Sequence, residues 1–208
     1  MADLPRGRFI AIEGIDGSGT TSQTRALGQW LGQRGHAVLE TREPSRGAIG
    51  TLIRQRLSVA AAPLEPAALA LLFAADRLDH IASEVEPALA AGSVVLSDRY
   101  VLSSLAYQAL DCDAAWVREI NARAPRPDLT LLIAVPVEVA FARVQRRMVD
   151  EGGVEERFDA LALQRRIAGH YEQFCGDPAL GPVHIVDGDQ PPERVTAALM
   201  QALIALGL

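Results

Sequence analysis

Residues 14–21 read Gly-Ile-Asp-Gly-Ser-Gly-Thr-Thr. They lie between an apolar stretch, Arg8-Phe-Ile-Ala-Ile-Glu13, and a helix-forming stretch that runs from Ser22 to Arg34 and stops at Gly35. Strand, glycine loop and helix in that order commit the start of the chain to an α/β unit. The spacing is that of the phosphate-cradling pattern G-x-x-x-x-G-K-[ST]. Gly14 and Gly19 fill the glycine slots and Thr21 the hydroxyl slot, but Thr20 stands where the lysine belongs. Backbone N–H groups and the positive end of the next helix remain available to an anion. The mobile cation that would reach the outer phosphates is absent from the loop.

Composition sharpens that departure. All 20 basic residues are arginines, and the chain contains no lysine. A chain-wide drift from lysine to arginine would place arginine at position 20, so Thr20 is a separate change. The 208 residues, with 49% apolar side chains, suffice for one domain with a substantial core, read here as residues 1–208. A net charge of −6 argues against general nucleic-acid or membrane binding. No apolar run reaches membrane-spanning length, and the first residues lack a signal-peptide pattern. Cys112 and Cys175 form no metal or redox spacing, so a reduced, cytoplasmic setting is expected.

Apolar runs at 8–13, 37–41, 93–97, 129–134 and 183–187 read as strands. Helical patterns lie near 19–34, 47–58, 65–91, 100–110, 114–123, 136–149, 159–175 and 191–206. Continuous apolar strands alternating with helices predict a doubly wound, five-stranded parallel sheet flanked by helices. Ligands of such sheets bind beyond the carboxyl ends of the strands, so the residues that follow each strand carry the chemistry.

After the second strand comes Thr41-Arg42-Glu43-Pro44, where Arg42 suits a bidentate phosphate clamp. An ion pair with Glu40 or Glu43 is the competing reading. After the third comes Ser97-Asp98-Arg99-Tyr100. Asp98 suits Mg²⁺ opposite Thr21, and Arg99 suits neutralisation of a phosphoryl group. A simple Asp98–Arg99 pair is the alternative. Phe73 and Arg77 share a helix face and can stack and hydrogen-bond a base; Phe73 in the core, with Arg77 paired to Asp76 or Glu84, is the alternative. Arg143, Arg146, Arg147 and Arg157 surround Gly152-Gly153, as in a lid near 146–158 that closes over phosphates. For Arg143 in particular, a solvated helix end is the competing reading.

Together these segments resemble the thymidylate kinases, a P-loop nucleoside monophosphate kinase family. The resemblance rests on Glu13-Gly-Ile-Asp-Gly-Ser-Gly19, Thr41-Arg-Glu-Pro44, Leu72-Phe-Ala-Ala-Asp-Arg77, Asp98-Arg-Tyr-Val-Leu-Ser-Ser-Leu-Ala-Tyr107, Pro127-Asp-Leu-Thr-Leu131 and Glu156-Arg-Phe158, in the family's order. It implies γ-phosphoryl transfer from ATP to dTMP with Mg²⁺ held by Thr21 and Asp98, and a homodimer. It implies ATP on the loop from Gly14 through Ile15, Asp16, Gly17, Ser18 and Gly19 to Thr20 and Thr21. It implies an acceptor site of Asp16, Arg42, Arg54, Phe73, Arg77, Arg99, Ser103, Ser104 and Tyr107, in which Tyr107 crowds the sugar. Asp16, Arg99, Arg146, Arg147 and Arg157 are the implied catalytic residues. One branch of the family carries an arginine after the loop aspartate; here that residue is Gly17, which resembles the branch whose lid arginines supply the cation.

Two departures bear on activity: Thr20, and Ser45-Arg-Gly47 in place of the family's Gly-Gly-Thr. Loss of one charge-stabilising donor costs on the order of 10²–10³ in rate. Compensation by Arg46 or by a lid arginine is therefore expected of an active enzyme. A kinase for another nucleoside monophosphate and a catalytically silent nucleotide-binding module are the alternatives.

Overall fold

The computed structural model describes residues 6–58, 61–151, 158 and 160–208. Five parallel strands, β1 (Phe9–Glu13), β2 (Val38–Arg42), β3 (Val94–Asp98), β4 (Leu129–Ala134) and β5 (Val183–Asp187), form one sheet in the order β2-β3-β1-β4-β5. Each observed strand lies within about one residue of its expected position. β1 is central, with β2 and β3 on one side and β4 and β5 on the other. Its carboxyl end therefore sits where the winding reverses, the place such sheets use for ligands.

Period-two alternation partitions the strands between two apolar layers. Phe9, Ala11 and Val95 face Ile81, Val85 and Leu89. Ile10, Ile12 and Leu96 share the larger core with Leu27 and Leu31 of α1 (Thr20–Gln33) and Leu199 and Leu203 of α9 (Pro192–Ala205). Every residue of β1 and β3 is buried, whereas the edge strands β2 and β5 are partly exposed. Truncating a fully buried leucine such as Leu131 costs about 2–5 kcal/mol.

The remaining helices are α2 (Ala48–Leu57), α3 (Pro66–His80), α4 (Glu86–Ala90), α5 (Val101–Gln108), α6 (Ala114–Ile120), α7 (Val137–Glu151) and α8 (Leu161–Phe174). The helix expected over 65–91 is not continuous. A π-helical turn at Ile81–Val85 joins α3 to α4, with the Glu86 N–H bonded to the Ile81 carbonyl. The cause is Pro87, which has no N–H to offer and whose ring crowds the carbonyl four residues back. Glu65 caps α3 by accepting from the Ala68 N–H at 2.9 Å, and Asp113 caps α6 through the Trp116 N–H. α1 is different: its cap position is Gly19, which has no side chain to offer, so its first N–H groups face the loop.

Candidate active site

The loop from Gly14 to Thr21 leaves β1 and enters α1. Gly17 and Gly19 have φ of 85° and 93°, the left-handed region that favours glycine. A Cβ at Gly17 would stand 2.2 Å from the Ala140 carbonyl oxygen, because α7 packs directly on the loop. An arginine at position 17 has no room here, so a cation must come from elsewhere. Thr20, in the lysine slot, is the buried first residue of α1.

Asp98 closes β3 opposite the loop. Its Oδ2 accepts from Thr21 Oγ1 at 2.5 Å, and its buried Oδ1 has no partner among the described residues. Thr20, Thr21, Asp98 and the arginines Arg42, Arg99, Arg143 and Arg147 line one cavity of about 380 Å³. Arg42 has no hydrogen-bond or ion-pair partner among the described residues, so the expected alternative of pairing with Glu40 or Glu43 does not occur. Glu43 instead binds Arg77.

A second cavity, of about 130 Å³, is lined by Arg54, Phe73, Arg77, Ser103, Ser104 and Tyr107. Asp16, Arg42 and Arg99 line both cavities, so the two meet at those three side chains. Arg99 is the junction. It has φ of 74°, and its backbone N–H donates to the Ile12 carbonyl at 2.8 Å. Its Nη2 donates to Asp16 Oδ1 at 2.5 Å, and its Nη1 to the Gly14 carbonyl at 3.0 Å and Ser103 Oγ at 3.2 Å. The guanidinium lies 5.0 Å from the centre of the Tyr107 ring. Burial opposes its charge, but Tyr107, Asp16, Tyr171 and Asp98 together outweigh burial and hold the guanidinium protonated. Arg99 thus pairs with Asp16, not with its chain neighbour Asp98.

Asp16 also accepts from Tyr107 Oη at 3.0 Å and Gln164 Nε2 at 3.2 Å, so three side chains fix its carboxylate. Burial pushes the Tyr107 phenol well above its usual range, which keeps it a donor to Asp16. Arg54 donates to the Pro44 and Ser45 carbonyls at 2.8 and 2.6 Å, holding the turn after β2 while lining the second cavity.

Arg77 is 2% exposed. Its Nε donates to Glu43 Oε2 at 2.8 Å, its Nη1 to Asn121 Oδ1, and its Nη2 to the Tyr100 carbonyl and Ser104 Oγ at 3.2 and 3.0 Å. Glu43 Oε2 also lies 2.7 Å from Nη2, so all three guanidinium nitrogens are held, and the side chain so fixed lines the cavity. Phe73, one turn earlier, is half-buried on the same wall. Asp76 bonds Ser45 through both carboxylate oxygens, at 2.7 and 2.6 Å, and not Arg77. The departure at Ser45 is therefore an anchor for the turn. Ser45 and Arg46 line neither cavity, and Arg46 is exposed, so the expectation of compensation by Arg46 loses its geometric basis.

Sequence reasoning placed Glu13 at the end of the first strand, β1, but gave it no role. It is fully buried; Oε1 accepts from the Tyr100 and Ser103 N–H groups, and Oε2 from Ser103 Oγ at 2.5 Å and Tyr171 Oη at 2.9 Å. Burial raises its pKa, partly offset by the hydrogen bond from Ser103 and the charge of Arg99. Glu13 thereby fixes the first turn of α5, which carries Ser103, Ser104 and Tyr107. An acidic residue in an otherwise apolar strand was the available signal. Gln164 and Asn121 left no such mark, because their roles depend on contacts distant in sequence.

The arginines expected in the lid divide. Arg146 and Arg147 are both exposed, but only Arg147 lines a cavity, the one beside the loop; Arg157 lies outside the described residues. Arg143, read as a plausible solvated helix end, instead donates to the Gly188 carbonyl at 3.2 Å and reaches the Gly17 carbonyl at 3.5 Å.

A family model described as thymidylate kinase matches residues 12–198. The chain belongs to the thymidylate kinase family. A protein of Pyrococcus horikoshii named "Probable thymidylate kinase" is 42% identical over 80% of this chain and 82% of its own length. One of Thermococcus kodakarensis with the same name is 39% identical over 94% of this chain and 98% of its own. A protein of Cereibacter sphaeroides named "Thymidylate kinase" is 39% identical over 95% of this chain and 94% of its own. Family membership accords with the five-stranded parallel sheet.

Proposed function

We propose that this chain is a single kinase domain that transfers the γ-phosphoryl group of ATP to dTMP, giving ADP and dTDP. The observation that carries the reading is the second cavity. It sets an aromatic side chain, Phe73, and a rigidly held guanidinium, Arg77, beside Asp16 and Arg99, which also line the cavity at the loop. A base ring stacks on Phe73 and hydrogen-bonds to Arg77, Tyr107 limits the space at the sugar, and the nucleotide's phosphate points toward Arg42 and Arg99.

Phosphoryl transfer asks little covalent chemistry of the protein. An ionised oxygen of the dTMP phosphate attacks Pγ, the bond from Pγ to the bridging oxygen breaks, and ADP leaves with that electron pair. No proton need be removed from the nucleophile. The chain aligns the two phosphates and neutralises charge as it spreads. Asp16 holds the Arg99 guanidinium, and the loop N–H groups hold the donor phosphates.

The donor set at Thr21 and Asp98 fits Mg²⁺: a hydroxyl and a carboxylate, with one buried carboxylate oxygen unpartnered. Mg²⁺ usually needs only one or two carboxylates, the rest being water and phosphate oxygens. When bound it supplies charge neutralisation on the donor phosphates.

A homodimer is part of the proposal. Leu71 and Leu78, two turns apart on α3, and Leu52 on the adjoining α2 are exposed. This unpartnered apolar face supports association of two copies. No helix among the described residues is long and apolar enough to cross a membrane, and we read the protein as cytoplasmic.

A turnover panel tests the substrate. ADP release is measured with dTMP, dUMP, CMP, AMP and GMP as acceptors. We expect the highest kcat/KM with dTMP. Preference for another monophosphate contradicts the reading, and binding without turnover of any points to a silent nucleotide-binding module.

A further inference from the structure

We propose that the charge missing from the loop at Thr20 is supplied by Arg147, held in place by the packing of α7 on the loop, so that positions 20 and 147 are exchangeable carriers of one cation. The inference rests on the kinase reading above.

Three observations converge. First, Thr20 lines the same cavity as Thr21, Asp98 and Arg147. A cation at position 147 therefore borders the space that a lysine at position 20 would enter. Second, α7 is fixed against the loop by its backbone. The Ala140 carbonyl faces Gly17 so closely that no Cβ fits between them. Arg143 adds bonds to the Gly188 and Gly17 carbonyls, tying the helix to both the loop and the segment after β5. Arg143 and Arg147 are one helical turn apart and share that face. Ala140 and Val144 on it are buried and Arg143 is half-buried; Arg147 is exposed, as are Gln145, Arg146, Val149 and Asp150, but of these five only Arg147 lines the cavity. Third, Arg143 is engaged with protein carbonyls, whereas Arg147 has no hydrogen-bond or ion-pair partner among the described residues. Arg143 positions; Arg147 is the free charge.

The chemistry suits a guanidinium. An arginine inside the tight loop lacks room for its planar fork, but from a helix across the cavity it can approach the phosphate oxygens bidentately. Lysine would enter the cavity from the loop and Arg147 borders it from α7, and the charge delivered is the same.

The test is a double-mutant cycle of Thr20→Lys and Arg147→Ala, read by kcat for dTDP formation and by dTMP affinity. Arg147→Ala alone should lower kcat about 10²–10³-fold and leave dTMP affinity unchanged. Thr20→Lys in that background should recover most of the loss, because the lysine restores the cation from the other side. A binding arm stands apart from turnover. The parent should bind a non-hydrolysable ATP analogue more tightly than ADP, Arg147→Ala should abolish that preference, and Thr20→Lys should restore it. If the parent forms no dTDP, the kinase reading fails while the binding arm still judges the exchange. Parent-like kcat and analogue preference in Arg147→Ala, or a folded double variant with no recovery, would overturn the proposal. An Arg147→Lys variant that retains activity would agree with a role for charge; loss in Arg147→Lys equal to that in Arg147→Ala, with no recovery by Thr20→Lys, would contradict it.

Discussion

Thr21 and Asp98, 77 residues apart in sequence, meet in a 2.5 Å hydrogen bond across the mouth of the phosphate loop. The contact exists because β1 and β3 are neighbours in the sheet, with Ile12 level with Asp98. It brings a hydroxyl and a carboxylate together where a hard cation and donor phosphates need oxygen ligands. Asp98→Asn keeps the shape and removes the charge. It should lower kcat by about 10²–10³-fold and raise the Mg²⁺ concentration needed for half-maximal rate, with dTMP affinity little changed. A magnesium titration of both proteins checks this.

Glu43 and Arg77 form a buried pair, 4% and 2% exposed. Removing one partner strands the other charge in the interior. Glu43→Ala should cost about 3–5 kcal/mol of stability, measured by urea denaturation, and should weaken dTMP binding because Arg77 loses its orientation. A variant as stable as the parent would show that the pair does not hold the base wall.

Phe73→Ala should raise the dTMP KM by about 10- to 100-fold with a smaller effect on kcat, since stacking of a base on an aromatic ring contributes about 1–3 kcal/mol. Steady-state kinetics with dTMP varied at saturating ATP reads the split directly. An unchanged KM would return Phe73 to the core.

Glu13 gives a pH signature. Burial raises its pKa in the folded protein above the ordinary glutamate value of 4.5. Between those two pKa values the folded state binds more protons than the unfolded state, so this group's contribution to stability falls as pH rises from about 4.5 through the folded pKa. Below 4.5 both states are protonated and the penalty vanishes. Glu13→Gln should remove that part of the slope, seen by comparing denaturation midpoints of the two proteins from pH 4.5 to 8. Parallel curves would contradict it.

Gly17→Ala should be costly for two reasons. The backbone φ of 85° disfavours a side chain, and the new Cβ would meet the Ala140 carbonyl. We expect a loss of about 1–3 kcal/mol and a lowered kcat as α7 shifts off the loop. Thermal denaturation together with turnover tests both halves.

The sequence made much of this legible. The strands were readable because β1, β3 and β4 are near-continuous apolar runs, and the loop because its glycines obey backbone constraints that few other sequences meet. Phe73, Arg77, Ser104 and Tyr107 were readable as a set only through family resemblance. Their convergence depends on α3 and α5 packing together, which no local pattern encodes. The break in the 65–91 helix was written in Pro87 but outweighed by the apolar periodicity around it. Arg143 was open to two readings because a solvated arginine and one bonded to loop carbonyls look alike until α7 is placed on Gly17. Arg46 attracted attention as a departure, yet its neighbour Ser45 turns the segment onto Asp76 and leaves Arg46 outside both cavities.

The most direct test of the account is a product assay on the purified, tag-free protein with ATP, Mg²⁺ and dTMP, following dTDP by phosphorus NMR, with Asp98→Ala as the control for contaminating kinase. The account predicts dTDP in the parent and none above background in Asp98→Ala. Measurable dTMP binding with no dTDP would contradict it, and would make Thr20 the residue at which catalysis was lost.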